Sequence, residues 1–175
     1  NNYGNYNQES NHKTGTGALY PFQLPAIQKT TLIPSPTFSM HAQHLQQEEK
    51  TLHSNFCEAD YFLAYREGKI VGRVAAIINH KANQTWNKKE VRFGWIDFID
   101  DAEVSDALIR TVEEWGKERG MTHIQGPLGF TDFDAEGMLI EGFDQLSTMA
   151  TIYNYPNYPQ HLERMGFEKM PIGWN

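Results

Sequence analysis

The feature that most constrains the fold is a stretch of β-forming residues that begins at Tyr61. The runs YFLAYR and IVGRVAAIINH flank a short turn, Glu67-Gly68-Lys69. Two β-rich runs around a glycine-containing turn predict a β-hairpin. The second run is long and nearly all apolar, which is typical of a central strand. Gly72 within that run indicates a bulge or a close backbone approach.

The polar residues 81–90 (KANQTWNKKE) predict a loop after this hairpin, and a strand, a helix and a second strand are predicted to follow it. Residues 91–99 (VRFGWIDFI) alternate and are rich in β-formers, which predicts a third strand antiparallel to the second. Residues 102–119 predict a long helix with Asp101 as its N-cap and Gly120 just past its end. Its apolar face comprises Val104, Ala107, Leu108, Val112 and Trp115. Residues 121–126 (MTHIQG) predict a short strand, and the crossover favours parallel pairing.

The remaining segments carry weaker signals. Residues 127–147 predict a long loop, residues 149–155 a strand candidate, and residues 161–166 a short helix before a last strand fragment, FEKM. The order of elements predicts an α+β or α/β layer architecture around one mixed sheet.

The N-terminal third is expected to lie outside this domain. Residues 1–17 are rich in Asn and Gly and have no apolar periodicity, so they predict a disordered segment or a tether. Residues 18–54 combine a Pro-rich segment with a weak helix over residues 41–53. The domain is therefore expected to span residues 55–175.

Composition narrows the class of protein. The net charge of -7 argues against a nucleic-acid surface, and no apolar run is long enough to cross a bilayer. A single cysteine, Cys57, excludes an internal disulfide and fits a reducing, cytoplasmic location. His41 and His44 are three residues apart, but no third ligand is evident near them, so no metal site is predicted.

These elements together resemble the GNAT (GCN5-related N-acetyltransferase) superfamily over roughly residues 55–170. The hairpin FLAYREGKIVGRVAAI resembles the second and third strands of that fold, and YNYPNYPQHLERMGF resembles its closing Asn-x-x-A-x-x-L-Y-E-K-x-G-F stretch. The resemblance implies an α+β fold with a mixed, mostly antiparallel sheet and helices on both faces. Residues 126–167 further resemble the N-terminal half of longer bacterial proteins with two GNAT-like halves in tandem, which implies a second GNAT-like domain as a partner.

The resemblance implies an acyl-CoA-dependent N-acyltransferase that acts on a small-molecule amine. Acetyl-CoA or another acyl-CoA would be the cofactor, with its pantetheine arm along the backbone of Ile96, Phe98 and Ile99. The loop after that strand departs from the family pattern, because residues 100–106 contain no glycine and no basic residue. Two unit charges about 4 Å apart repel by roughly 4 kcal/mol at an effective dielectric near 20, so the acidic loop has the wrong sign for a diphosphate. The alternative is a non-catalytic half that binds substrate or a partner domain.

Candidate catalytic residues follow from the same resemblance. Asp97 is the first choice for the general base, and the alternatives in the long loop are Asp132, Asp134, Glu136 and Glu141. The family's general-acid tyrosine aligns with Leu162 here. Tyr153, Tyr155 and Tyr158 lie nearby and could substitute for it in space, and Tyr153 and Tyr155 are the preferred candidates. The alternative is a purely structural role, in which the tyrosines pack at the sheet edge with their hydroxyl groups in water.

Candidate substrate-binding residues are Arg73, Asp132 and Asp134. An arginine in an apolar strand requires an acidic partner, for which the loop acids are natural. That arginine is then either half of a structural ion pair or a clamp for a substrate carboxylate. The loop acids either recognise an amine or only cap their own backbone.

Overall fold

The computed structural model describes residues 2–9, 26–30, 56–131, 134, 136–145 and 153–171. The strands are β1 (Asn2–Glu9), β2 (Ala26–Thr30), β3 (Cys57–Arg66), β4 (Lys69–Asn79), β5 (Glu90–Phe98), β6 (His123–Gly126), β7 (Met138–Glu141) and β8 (Glu168–Pro171). The helices are α1 (His80–Thr85), α2 (Ala102–Glu118) and α3 (Asn157–Arg164).

These strands form one sheet in the order β2-β3-β4-β5-β6-β1-β7, with β8 paired to β1. The β5–β6 pair is parallel and every other pair is antiparallel. The prediction of an α+β fold around a mixed, mostly antiparallel sheet is therefore confirmed.

The hairpin and the long helix form as their residues predict. The β3–β4 turn uses Glu67 and Gly68, both with positive φ, a two-residue geometry that suits a hairpin. The Asp101 side chain caps α2 by accepting from two backbone N–H groups, and Gly120 has a φ of 77°. A Cβ on Gly72 would lie 2.8 Å from Leu108 Cδ1, so Gly72 is where α2 comes closest to the sheet.

Alternate residues of β4 face two apolar clusters. Val74, Ala76 and Ile78 belong to the larger cluster, which the buried faces of α2 and α3 cover. Ala75 and Ile77 face the other side, where Phe130 covers them. Among the described residues, α2 and α3 thus share one face and α1 buries no residue, so the expected helices on both faces are not found in that part of the chain.

Four sequence predictions about the segments are corrected. The tether prediction for residues 1–17 is wrong for β1, which pairs with β6, β7 and β8. The domain boundary at residue 55 is also wrong, because β2 extends the same sheet by pairing with β3. Residues 81–90, expected as a loop, include most of α1, for which the Asn79 side chain accepts from the Ala82 N–H. The long loop of residues 127–147 contains β7.

Two other predictions fall wholly or partly on undescribed residues. The weak helix over residues 41–53 lies outside the described residues, as do residues 149–152 of the strand candidate. Residues 153–155 of that candidate are not in a strand. No helix in the described part of the chain is long and apolar enough to span a membrane.

Candidate active site

A cleft opens where β5 leaves β6. The parallel register joins Glu90 to His123 and ends at Arg92 and Gln125, whereas β5 continues to Phe98. Beyond that register, the Leu128 N–H still donates to the Phe93 carbonyl at 2.9 Å. The rest of β5 is paired only with β4 among the described strands.

Gly94 allows the chain after β6 to approach β5 closely at this point. A Cβ at Gly94 would lie 2.5 Å from the carbonyl oxygen of Leu128, a distance that real side chains do not tolerate. A residue with a side chain would therefore have to push the two segments apart. The separation of the strands begins directly after this close approach.

A β-bulge follows Gly94 and reorients the open edge of β5. Arg73 pairs with Asp97 and Ala75 pairs with Gly94, so two residues of β5, Trp95 and Ile96, oppose one residue of β4. Trp95 has a φ of 45°, which is uncommon for a bulky residue and costs about 1–3 kcal/mol. Its ring packs against Phe130 with centroids 5.4 Å apart, which helps to hold this conformation.

The cleft beside this bulge has a volume of about 280 Å³. Its walls come from β4, β5, the segment between β6 and β7, and the start of α3. The lining residues are Arg73, Trp95, Ile96, Asp97, Pro127, Gly137, Met138, Tyr153, Asn154, Tyr155 and Tyr158. A mostly apolar wall with a few converging polar groups is the usual composition of a small-molecule site.

Three polar side chains meet on the β5 wall. The Tyr158 hydroxyl donates a short hydrogen bond to Asp97 Oδ1, and it accepts from the Phe98 N–H at 3.3 Å. Arg73 Nη2 lies 3.9 Å from Asp97 Oδ2. The Asp97 side chain is 61% exposed, so the carboxylate remains accessible from the cleft.

Tyr158 is held in its protonated form. Burial of the phenol, and secondly the hydrogen bond to Asp97, raise the pKa of Tyr158 to about 12. At neutral pH this hydroxyl is therefore a donor and not a base. Its ring is stacked on Phe98 with centroids 4.5 Å apart, which fixes the position of the hydroxyl group.

The backbone of β5 also faces the cleft. The Phe98 N–H points to the side of the strand on which it meets the Tyr158 hydroxyl. The Ile99 N–H instead donates to the Val71 carbonyl on β4 at 3.0 Å. Of the three predicted pantetheine positions, only Ile96 lines the cleft. The Phe98 side chain is buried in the core, and Ile99 is half-exposed.

The predicted catalytic residues have different positions. Asp97 lines the cleft, as do Tyr153 and Tyr155, which are exposed at its rim with ring centroids 6.0 Å apart. Glu141 is exposed at the end of β7 and is not among the lining residues. Tyr158, the third tyrosine of this segment, reaches Asp97 on β5. The sequence contains an indication of this role, because Tyr158 lies four residues before the aligned Leu162 and therefore on the same helical face.

The predicted substrate-binding residues are similarly divided. Arg73 lines the cleft, and the acid closest to it on this wall is Asp97 of the neighbouring strand. Asp134 accepts from the Thr131 N–H at 2.8 Å, which is the backbone-capping alternative. Asp132 lies outside the described residues.

The N-terminus of α2 lies just past the end of β5. The Asp101 carboxylate accepts from the N–H groups of Glu103 at 2.9 Å and Val104 at 3.3 Å. Arg66 binds Asp101 at 2.6 Å and Glu103 at 3.0 Å. The Arg66 hydrogen bond holds the pKa of Asp101 below its usual range, so this cap is ionised at neutral pH. These residues do not fit the diphosphate of CoA, because a carboxylate already occupies the helix terminus.

A Ser–His–Asp arrangement joins α3 to the start of α2. His161 Nδ1 lies 2.9 Å from Ser105 Oγ, and Nε2 lies 2.9 Å from Asp100 Oδ1. The Ser105 side chain is fully buried and donates to the Ala102 carbonyl at 3.0 Å. A buried hydroxyl cannot reach a substrate, so the arrangement holds the two helices together and is no nucleophilic triad.

Metal and thiol chemistry have little support in the described residues. No group of three His, Cys, Asp or Glu among them could hold a metal ion. His41, His44 and His53 lie outside the described residues. Burial raises the pKa of the Cys57 thiol to about 11, so this thiol is protonated at neutral pH and is a poor nucleophile.

Two curated proteins are similar to this chain, while no protein-family model matches it. Protein YghO of Escherichia coli (strain K12) is 33% identical over 134 residues, which are 77% of this chain and 34% of that protein. Bacterial ceramide synthase of Caulobacter vibrioides (strain NA1000 / CB15N) is 35% identical over 114 residues, which are 64% of this chain and 29% of that protein. The chain thus spans about a third of the length of the curated relatives it matches.

Proposed function

We propose that this chain is a GNAT-like unit of an N-acyltransferase that transfers an acyl group from a thioester to an amine. The observation that carries the proposal is the cleft at the split between β5 and β6, with Asp97 and Tyr158 on its wall. A strand edge that points into a cleft offers backbone N–H groups to an acyl carbonyl, as an oxyanion site requires. The similarity to a protein named ceramide synthase supports the same chemistry.

Asp97 is suited to the proton transfer that amide formation needs. An amine attacks the acyl carbon, so the C–N bond forms as the C–S bond breaks, and the nitrogen loses a proton. Asp97 is exposed to the cleft and takes that proton as general base. The Tyr158 hydroxyl, protonated and in contact with Asp97, supplies a proton to the leaving sulfur. The Tyr158 oxygen then recovers a proton from Asp97, which took it from the attacking nitrogen.

The proposed acceptor class is a long-chain amine. Ceramides are N-acyl amides of long-chain amino alcohols, so the name of one relative indicates amines of this type. The cleft is compatible with such an acceptor, because Tyr153 and Tyr155 present exposed rings at its rim while Asp97 lies on the wall. The carboxylate would accept a hydrogen bond from the neutral amino group, and the rings would cover the start of the alkyl chain.

The test is acyl transfer by the chain from an acyl thioester to sphinganine, followed by mass spectrometry of the amide. We expect Asp97→Asn to lower kcat by about 10²–10⁴-fold, the usual contribution of a general base. Asp144→Asn is the matched control, because Asp144 is exposed and is not among the cleft residues. Equal activity of the two variants would remove Asp97 from the mechanism, and absence of transfer by the wild-type chain would refute the proposed function.

A second candidate function is a non-catalytic unit that binds substrate or a partner domain. The observation that favours it is the closed α2 terminus, where the diphosphate of a CoA donor does not fit. In this second hypothesis, the chain binds a long-chain amine without transferring an acyl group. Calorimetric titration with sphinganine, combined with the transfer assay, separates the two candidates. Binding without transfer supports the non-catalytic unit, and binding with transfer supports the acyltransferase.

A further inference from the structure

We propose that Asp101 closes the N-terminus of α2 to phosphate groups, so this chain recognises an acyl donor by its thioester and pantetheine arm alone. The inference rests on the proposed function, because it concerns the donor of the same reaction. It assigns Asp101 as a residue that determines donor specificity. It predicts that pantetheine thioesters with and without the CoA nucleotide are equivalent donors.

The closure has a direct structural basis. The first backbone N–H groups of a helix are normally available to an anion. In α2, the Asp101 carboxylate accepts from two of them, those of Glu103 and Val104. A phosphate oxygen would have to displace this carboxylate, which is covalently attached and already in place. The internal ligand therefore has the advantage over any dissolved anion.

The nearest cation is also occupied. Arg66 is the side chain that would otherwise attract a phosphate to this helix terminus. It donates to Asp101 at 2.6 Å and to Glu103 at 3.0 Å, in a forked geometry that matches two carboxylates. Its partner side chains are only about one-third exposed or less, which shields the ion pairs from competing solutes.

The charges around the α2 N-terminus also disfavour the binding of an anion. Asp100 projects into solvent with a side chain that is 74% exposed, and its hydrogen-bond partners are His161 and Asn157. Asp106, one turn further along α2, is bound by Arg164 at 2.6 Å. A diphosphate arriving here would therefore meet the exposed Asp100 carboxylate, and the cations near it are already neutralised. Attraction of an anion needs the opposite arrangement.

The donor is therefore discriminated only within the cleft. The cleft at the split edge of β5 has a volume of about 280 Å³. Helix α2 follows β5 in the chain, and Asp101 closes its N-terminus. Loss of the nucleotide from a donor would remove no interaction with this chain. The expected consequence is equal use of an acyl-CoA and the corresponding acyl-pantetheine.

The binding test uses inorganic pyrophosphate and calorimetry at low salt. We expect no heat of binding by the wild-type chain up to about 10 mM pyrophosphate, and millimolar binding by Asp101→Ser. Serine keeps a capping oxygen for the helix but removes the charge and releases Arg66. The matched control is Asp106→Asn, which removes one negative charge from the same helix without opening its terminus.

Each outcome of this titration decides the assignment. Binding by Asp101→Ser alone supports the closure. Binding by the wild-type chain overturns it, and equal gains in Asp101→Ser and Asp106→Asn would show a general charge effect and overturn the role of Asp101. Failure of Asp101→Ser to gain binding also overturns that role.

The donor comparison is independent of the titration. We expect kcat/KM for acyl-CoA and acyl-pantetheine to agree within about threefold, whereas a preference of about tenfold or more for acyl-CoA would overturn the inference. If neither donor is used, the proposed function fails, and the pyrophosphate titration still decides whether Asp101 closes the helix. The two failures are therefore distinguishable.

Discussion

The Tyr158→Phe variant tests whether the Tyr158 hydroxyl links α3 to the cleft wall. The substitution removes one oxygen and keeps the ring that stacks on Phe98 at 4.5 Å. Two hydrogen bonds are lost, one to the Asp97 carboxylate and one from the Phe98 N–H. Helix α3 should stay in place while the cleft loses its proton donor.

The expected loss of stability follows from these two bonds. A hydrogen bond to a charged group contributes about 1.5–3 kcal/mol, but Asp97 is 61% exposed and water can replace the phenol there. The Phe98 N–H belongs to a buried residue, and in the variant it loses the hydroxyl oxygen that accepts its hydrogen bond. We therefore expect the free energy of unfolding to fall by about 2 kcal/mol, or about 4–8 °C in Tm for a chain of this size.

The same variant has a defined pH dependence. The folded-state pKa of Tyr158 is about 12, above the ordinary value of 10.0, so the folded protein retains this proton when the unfolded chain has lost it. The stabilisation of the folded state that follows from this raised pKa is fully present below pH 10 and is lost as the pH rises through 12. The stability difference between wild type and Tyr158→Phe should thus shrink between pH 10 and pH 12.

Urea unfolding followed by tryptophan fluorescence at pH 8 and at about pH 11.5 measures this difference. Tyr65→Phe is the matched control, because Tyr65 lies on β3 outside the cleft. A variant as stable as wild type at pH 8, or a difference that stays constant to pH 11.5, would refute the reasoning.

Three further predictions concern the scaffold of the site. Leu108→Ala should lower the free energy of unfolding by about 2–5 kcal/mol in urea titrations, because this side chain is fully buried against the sheet. Gly94→Ala should reduce both stability and acyl transfer, since its Cβ would lie 2.5 Å from the Leu128 carbonyl oxygen; unchanged melting and activity would contradict this close approach. Asp101→Ala should lose about 1 kcal/mol of stability at pH 7 through the missing cap. Because the folded-state pKa of Asp101 is lowered, that difference should shrink in melts as the pH falls from about 4 through the folded-state pKa.

Elements with strong local patterns were predictable from the sequence. The β3–β4 hairpin has alternation and a turn glycine, and α2 has a five-residue apolar face between two caps. In these segments the local preference agrees with the burial that the fold imposes. The parallel β5–β6 pair followed from the length of the crossover helix between them.

Elements that depend on distant partners were not predictable. β1 has few apolar residues, and the backbone pairing that makes it a strand comes from β6, β7 and β8, more than 100 residues away. The start of α1 depends on a single side-chain cap, from Asn79. No local periodicity reports either of these features.

The candidate site was predictable only in part. Asp97 and Arg73 were identified as residues with possible roles, and they lie on one wall of the cleft. The choice among the three tyrosines required the orientation of α3, which turns Tyr158 inward and leaves Tyr153 and Tyr155 at the rim. The bulge at Trp95 also depends on pairing with β4 and has no signature in the sequence of β5 alone.

The most direct measurement of the proposed function is amide formation from an acyl thioester and sphinganine by the wild-type chain and by Asp97→Asn. An acyltransferase with Asp97 as its base predicts a time-dependent amide product from wild type and a loss of about 10²–10⁴-fold in kcat in the variant. No amide above the uncatalysed rate, or equal rates for wild type and variant, would contradict it.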